Sequence, residues 1–485
     1  MIKKHFIFIT LIGALLIFSI LPVINYITDP TRVLHHDYKN RYEKFHPNKL
    51  FLKTLYLLDH KDKHDTLVYG SSRGGFVDVR LISDKAFNMS HGFGSVSTYL
   101  HSLKVLLEND VKVKNVWISV NDYDIWKNNQ ETIDKLLHKG NFIDNIPVYA
   151  DWLFRKTTQT NIKILKGEMP LLKSEYITDT SKRIERAIIQ EKTLLNFKKR
   201  SIPAATLGHT GIYRIDEVID EMEEIKTLCK ENDIKLTVFM YPIYSATYLA
   251  YDQTKIEEFK RKLTSVVDFY DFYALNDLSM LQTNWFEGSH FTPSIGDYMI
   301  RNIQQNNFLV TKENINSRIK QTRALGKKNM PILLKDKVHK LRTELDINAS
   351  KIIFDINSKF EYYQNEQFTL TKADHYINTI VEKEDPYFIL SKIKTQAKQI
   401  LLTFTIESTQ ESVFQLYMKE TKNANYGEGN RYRTPLQKGI NHFQIVIPGK
   451  YINNQLRVDF TKTVGSYKIK EFMIQEIEKF NIDQK

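Results

Sequence analysis

Two residues far apart in this chain carry the chemistry it can do. Ser72 stands in the run Val68-Tyr69-Gly70-Ser71-Ser72-Arg73-Gly74-Gly75, and His290 stands in Glu287-Gly288-Ser289-His290-Phe291. A serine hydroxyl becomes a nucleophile only when a neighbouring imidazole takes its proton. The oxyanion that then forms at a carbonyl needs preorganised donors, each worth about 3 kcal/mol of barrier. The same imidazole can return the proton to a departing group, so this pair in one cleft supports acyl transfer through an acyl-serine, to water or to another hydroxyl. A strand closing in an ordinary Ser/Gly turn explains the first run equally well when it is taken alone.

The flanking elements decide whether such a site can be built. Apolar Leu67 to Tyr69 predicts a short buried strand that stops at Gly70, which sets Ser72 on a tight turn at a carboxyl edge, where open α/β sheets bind ligands. Asn88 to Gly94 follows a second apolar stretch and precedes a helical pattern from about Val96 to Leu107, so its glycines can bring backbone amides close to a ligand. Asn115 to Val120 predicts a third strand ending in Asn121-Asp122, and Asn121 can offer a side-chain amide there. Ile234 to Met240 predicts a fourth strand, after an amphipathic helix from about Ile215 to Glu231, and Val266 to Phe272 predicts a fifth. Strands alternating with helices imply an α/β fold with a parallel sheet in helix-sheet-helix layers, all these loops lying along one edge. Between Trp126 and about His209, lysine-rich helical stretches predict an inserted cap over the site, about residues 127–209. Tyr241 to Tyr244, after the fourth strand, is expected to line the same crevice.

Taken in order, these blocks resemble those of the SGNH (GDSL-like) hydrolase and acyltransferase superfamily, over about Thr66 to Asn307. By that resemblance Ser72 is the nucleophile and its backbone amide an oxyanion donor. Gly92, or else Gly94, is the second donor, Asn121 the third, and His290 the base. Ser71 stands where the family has aspartate, Ser119 where it has glycine, and Glu287 where it has the acid that orients the histidine. The last departure leaves open whether Glu287, Asp268 or Asp271 holds the imidazole, or whether the site works as a dyad. Gly70-Ser71-Ser72 and the run Ser289 to Asp297 look most like membrane-anchored envelope proteins, similar to the alginate O-acetyltransferase and teichoic-acid D-alanylation proteins. The resemblance implies a three-layer, flavodoxin-like α/β/α domain and serine-dependent O-acyl transfer on an extracytoplasmic envelope polysaccharide. It also implies no cofactor, and a multispanning membrane acyltransferase as partner. A carbohydrate esterase and a non-catalytic glycan-binding or assembly protein are the alternatives left open.

Other residues narrow the partners. Arg73, beside the serine, can meet an anionic substrate group such as a uronate or phosphate, or close a salt bridge to a helix residue. His91 can touch a ligand or simply bond the backbone of its turn. His35, His36, His46, His60 and His64 lack metal-ligand spacing and have no nearby cysteine, so no metal site is expected. A formal charge of +12, with lysines spread along the chain and no nucleic-acid-binding signature, points to anionic lipid or polysaccharide rather than DNA. Cys229 is the sole cysteine, which excludes an intrachain disulfide.

The chain starts Met1-Ile2-Lys3-Lys4-His5 and continues with an uncharged apolar run from Phe6 to Ile27. At ~20 residues that run is long enough to cross a bilayer as a helix, and Lys3 and Lys4 should stay cytoplasmic. No small-x-small cleavage site follows, so an uncleaved signal anchor is expected over residues 1–28, holding the body outside a bacterial cytoplasmic membrane. The α/β domain then covers residues 29–310 and a basic linker residues 311–344. A β-sandwich spans residues 345–478, where Lys351 to Phe354, Phe388 to Leu390, Ile400 to Ile406, Val413 to Met418, Asn441 to Ile447, Gln455 to Phe460 and Tyr467 to Ile474 carry strand signals. Leu436 to Asn441 and Leu456 to Asp459 resemble jelly-roll carbohydrate-binding modules. Tyr426, Tyr432 and Arg433 are candidate sugar contacts in its loops, and a plain spacer is the other reading.

Overall fold

The computed structural model describes residues 19–126, 137–173, 177, 181–195, 202, 204, 213–334, 339–341, 347–358, 362–373, 376–419, 421–426 and 431–480. Most of the expected anchor, Phe6 to Ile27, lies outside them. Residues 19–28 are helical, and among the described residues no helix is long and apolar enough to cross a membrane. The chain divides into two compact units. One comprises Met1–Tyr244, Ile256–Tyr273 and Leu281–Arg318; the other comprises Ser245–Lys255, Ala274–Met280 and Ile319–Lys485.

The first unit is built on a six-stranded sheet of β1 (Thr66–Tyr69), β2 (Ala86–Asn88), β3 (Asn115–Val120), β4 (Lys235–Met240), β5 (Phe269–Asp271) and β6 (Leu309–Val310), in the order β2-β1-β3-β4-β5-β6. The first five run parallel and β6 closes the edge antiparallel. Every residue of β1, and all of β3 after Asn115, is buried, as parallel strands covered on both faces must be. The chain leaves β1 toward β2 and returns across to β3, so the loops after β1 and β3 diverge and open a crevice at their carboxyl ends. The helices of this unit include α1 (Lys49–Asp59), α2 (Val96–Glu108), α3 (Phe142–Phe154), α4 (Gln159–Leu165), α5 (Ser181–Leu195), α6 (Ile215–Glu231) and α7 (Pro293–Gln304). Helices α3 to α5 occupy the segment expected to be helical after Trp126, and Leu171–Lys173 between them pairs antiparallel with Asn40–Tyr42. The fifth strand is shorter than its apolar pattern suggested. The helix Gln253–Val266 runs through Val266, and its apolar stripe of Ile256, Phe259 and Leu263 continues into the residues that looked like strand.

The second unit is an antiparallel β-sandwich. Its larger sheet runs Phe368–Lys372, Ile377–Val381, Gly465–Phe480, Gln399–Ser408, Gly439–Pro448, His339–Leu341, with Ile347–Asp355 also paired to Gly465–Phe480. The smaller runs Tyr363–Gln364, Phe388–Leu390, Leu456–Asp459, Ser412–Met418, Arg431–Leu436. One apolar cluster joins the inner faces, with Phe404 between Phe414, Phe443 and Phe472 at centroid distances of 5.1, 5.5 and 5.1 Å. Truncating this ring leaves a void that the two sheets cannot close. Phe404→Ala is therefore expected to cost about 3–5 kcal/mol of sandwich stability. All four tryptophans, Trp117, Trp126, Trp152 and Trp285, lie in the first unit, so the loss should show in the circular-dichroism melt and leave the tryptophan-fluorescence transition in place.

Candidate active site

After β1 the chain turns sharply. Ser71 caps a single 3-10 turn, Ser72–Phe76, and the Gly74 amide donates to the Ser71 carbonyl at 2.9 Å. Two glycines allow this turn to lie where it does. A Cβ at Gly70 would meet Tyr241 Oη at 2.5 Å, and one at Gly74 would meet Ser90 Cβ and Tyr241 Oη at 2.8 Å each. Tyr241, expected to line the crevice, is instead the buried backing of this turn. Helix α7 approaches from the other side at Gly296, where a Cβ would stand 2.5 Å from the Phe76 carbonyl oxygen. Pro293 at its first turn fixes where it starts. The loop ahead of it is folded by an Phe286 amide bond to the His290 carbonyl, 2.9 Å, which carries His290 back over the serine turn.

Ser72 Oγ lies 2.7 Å from His290 Nε2. His290 Nδ1 is hydrogen-bonded to Glu287 Oε1, which also accepts from the His290 amide and from Ser289 Oγ, both at 2.8 Å. A carboxylate only accepts, so Nδ1 carries the proton and Nε2 presents its lone pair to the serine hydroxyl. The longer glutamate side chain, three residues before the histidine, thus stands where the resemblance places an aspartate. Asp271 is engaged elsewhere, accepting from Lys260 Nζ at 2.6 Å.

Burial alone would raise the Glu287 carboxyl, yet the hydrogen bond and charge of His290, with the two Ser289 bonds, outweigh it and bring the group down to about 2. The sign follows directly. A depressed carboxyl contributes stability that is complete above its ordinary value of 4.5 and is lost as pH falls through about 2. Carbon-13 NMR of the glutamate carboxyls should show one group titrating near 2 in the wild type and moving up in His290→Ala; a group unmoved by that substitution would show that His290 is not what holds it down.

The oxyanion side is arranged differently from expectation. Gly92 is exposed and faces open space, with nothing within 4 Å of a Cβ built there. Gly94 instead packs on the Gly70 carbonyl, where a Cβ would stand at 2.6 Å. Asn121 is wholly buried, and its amide nitrogen reaches Asp124 Oδ2 at 3.2 Å and the Gly94 carbonyl at 3.4 Å. It is not a donor presented to open space, because Asp124 turns it inward. The bonds to the Gly94 carbonyl, 3.4 Å, and to Tyr99 Oη, 3.5 Å, are the weak ones, leaving that side of the amide the easier to redirect. His91 bonds the Met89 carbonyl and Thr98 Oγ1 and donates its amide to the Gly70 carbonyl, so it holds the loop rather than facing a ligand.

Arg73 also departs from the anionic-substrate expectation. Its guanidinium is buried and forms a fork to Asp122, 2.7 and 3.3 Å, joining the turn after β1 to the turn after β3. Three supporting residues were missed in the sequence. Asp122 looked like part of a motif rather than a partner for Arg73. Asp124 accepts the Asn121 amide at 2.7 Å, and burial pushes its carboxyl up to about 7. Lys53 donates to the Ser90 carbonyl at 2.6 Å from full burial, which together with the charge of Arg183 brings its ammonium down to about 7. A lysine in the middle of the apolar stretch Leu50 to Leu57 was the visible signal for it.

Helix α5 packs on this turn, with the Arg183 guanidinium 4.9 Å over the Phe76 ring. A cavity of about 410 Å³ lies beside His290, lined by Phe76, Gln190, Thr193, Leu194, Phe286 and Glu287. In the sandwich, Tyr432 is not a loop residue: it pairs with Leu416 inside the strand Arg431–Leu436 and packs against the core. Arg433 pairs with Gln415 in the same strand. Tyr426 is half-buried under the Lys419 ammonium at 4.5 Å, and burial pushes its hydroxyl up to about 12.

No family model matches the sequence, and no curated protein matches it. Among solved structures, the chain is similar to a Bacteroides fragilis protein described as a candidate acylhydrolase, at 15% identity over 54% of this chain and 94% of that one, with a TM-score of 0.29. It is similar to the carbohydrate-binding module CBM29_1 of Piromyces equi at 8% identity, over 29% of this chain and 92% of that one, TM-score 0.21. The family 11 carbohydrate-binding module of Clostridium thermocellum gives 13% identity over 27% of this chain and 97% of that one, TM-score 0.19.

Proposed function

We propose that this protein is an SGNH-type serine O-acyltransferase that acts on a polysaccharide of the bacterial cell envelope, outside the cytoplasmic membrane to which its N-terminal segment anchors it. The observation that carries the reading is the Ser72 Oγ to His290 Nε2 hydrogen bond of 2.7 Å, with Glu287 on the other ring nitrogen. Nε2 takes the Ser72 proton as Oγ bonds the acyl carbon. The imidazolium, held by Glu287, then protonates the departing donor oxygen and leaves an acyl-serine. The amides of Ser72 and Gly92, with the Asn121 side chain once turned from Gly94, are the donors this reading assigns to the oxyanion. A multispanning membrane protein is the assigned source of the acyl group, and the sandwich is assigned to hold the glycan chain.

One observation favours an esterase as the second reading. The side chains of His290 and Glu287 keep 27% and 49% of their surface in solvent, so water can reach the base. The test compares acyl content of the cell-surface glycan in cells carrying the wild type, Ser72→Ala and His290→Ala. Loss of acylation in both variants supports the transferase, a gain supports the esterase, and an unchanged level in both overturns the envelope role.

A further inference from the structure

Two buried oxygens just past the carboxyl end of β3, Asn121 Oδ1 and Asp124 Oδ1, have no hydrogen-bond partner among the described residues. Their side chains are wholly buried and touch each other, for Asp124 Oδ2 accepts the Asn121 backbone amide at 2.7 Å and the Asn121 side-chain nitrogen at 3.2 Å. Resting on the acyl-serine reading, we infer that Asp124 is a positioning residue for the oxyanion, whose ionised carboxylate keeps the nitrogen end of the Asn121 side chain available to the acyl oxygen. A carboxylate only accepts, so the amide turns its nitrogen toward Asp124 and leaves its own oxygen orphaned. One N–H is spent on Asp124, and the other rests on the Gly94 carbonyl and Tyr99 Oη at 3.4 and 3.5 Å. That second contact is surplus, because the Gly94 carbonyl also accepts from Tyr123 Oη at 2.6 Å. The N–H can therefore pass to an oxyanion without leaving the Gly94 carbonyl unpaired.

A neutral Asp124 reverses the preference. Its hydroxyl is a donor, and the orphaned Asn121 oxygen can accept it once the amide turns end for end. Oxygen then stands where the spare N–H stood, and the oxyanion meets a lone pair in place of a donor. That proton is exchanged within the ordinary range of pH. Burial pushes the Asp124 carboxyl up to about 7, against the pull of its two bonds from Asn121. Two charged groups face it from outside its turn: Glu221 on α6, which raises it, and Arg214 at the start of that helix, which lowers it; they are paired with each other. Tyr99 on α2 and Tyr123 in the same turn also face it, and burial pushes both hydroxyls well up, so they keep their protons while Asp124 titrates.

The full-length protein tests this through kcat/KM on nitrophenyl acetate, followed from about pH 5 to about pH 9 in the wild type, Asp124→Asn, Asn121→Ala and the double variant. Asp124→Asn keeps the shape of the side chain and cannot ionise. The proton step at His290 is common to all four forms and drops out of their ratios. The ratio of wild type to Asp124→Asn is expected to fall by about tenfold or more between about pH 9 and about pH 5, following a single proton. The ratio of wild type to Asn121→Ala should fall in the same way, which keeps the test open if Asp124→Asn does not fold. In the Asn121→Ala background, Asp124→Asn should change the rate little further, since the carboxylate acts through that amide. A ratio that stays flat across pH, or a loss from Asp124→Asn that persists without the Asn121 amide, overturns the inference and leaves Asp124 a structural residue of its turn. Fluorophosphonate labelling of wild-type Ser72 is read first: no labelling defeats the acyl-serine reading and this assignment together, whereas labelling with flat ratios defeats the assignment alone.

Discussion

Ser72→Ala is expected to lower turnover of an activated acetyl ester on the order of 10⁴- to 10⁶-fold, and His290→Ala to do nearly the same. The two groups form one proton-transfer unit at 2.7 Å, so removing either leaves the other with nothing to act on. The double variant should for that reason be little worse than either single one, the residual rate coming from binding and the oxyanion donors. Stability offers a control. Ser72 is only partly buried, and the turn is capped by Ser71 rather than by Ser72, so the substitution should change stability by less than about 0.5 kcal/mol. The measurements are kcat on the ester and mass-spectrometric mapping of fluorophosphonate label. A label that maps to another serine, or losses that multiply in the double variant, would remove Ser72 and His290 from the reaction.

These two residues were legible in the sequence for physical reasons that did not extend to their neighbours. β1 and β3 are runs of buried apolar residues bounded by Gly70 and by Asn121-Asp122, and such runs mark both the strand and its carboxyl edge without knowledge of any partner. His290 follows because its loop precedes a helix opened by Pro293. The remainder of the site depends on pairings across the sheet. Arg73 turns inward only because Asp122, 49 residues later, arrives on the adjacent strand end. Asn121 turns inward only because Asp124 reaches back to it. In the sandwich, Phe368–Lys372 and Ile377–Val381 lie outside the strands read from the sequence; apolar residues alternate with polar ones there, as on a sheet with one face in water. Tyr432 shows the cost of not knowing that Arg431–Leu436 is a strand. Alternation along it sends Tyr432, Thr434 and Leu436 inward, whereas the same tyrosine in a loop would look like a sugar contact.

Arg73→Ala is expected to destabilise the α/β unit by about 3–5 kcal/mol, because it leaves the Asp122 carboxylate buried without its guanidinium. The tryptophans report this unit alone, so the loss should appear as an earlier urea transition in tryptophan fluorescence. Replacing both partners by apolar residues, Arg73→Met with Asp122→Leu, removes the stranded charge and should recover most of that stability. Fluorophosphonate labelling of Ser72 should still be slowed in the double variant, by roughly 10²-fold, because the fork between the β1 and β3 turns is what sets the serine in line with Nε2. The opposing account, a guanidinium that holds an anionic substrate, makes the reverse prediction: a raised KM for anionic esters with the urea transition in place. Stability lost in the single variant and regained in the double, with slow labelling in both, separates a strut beneath the nucleophile from a ligand contact, since only a strut couples the fold of the first unit to the reactivity of Ser72.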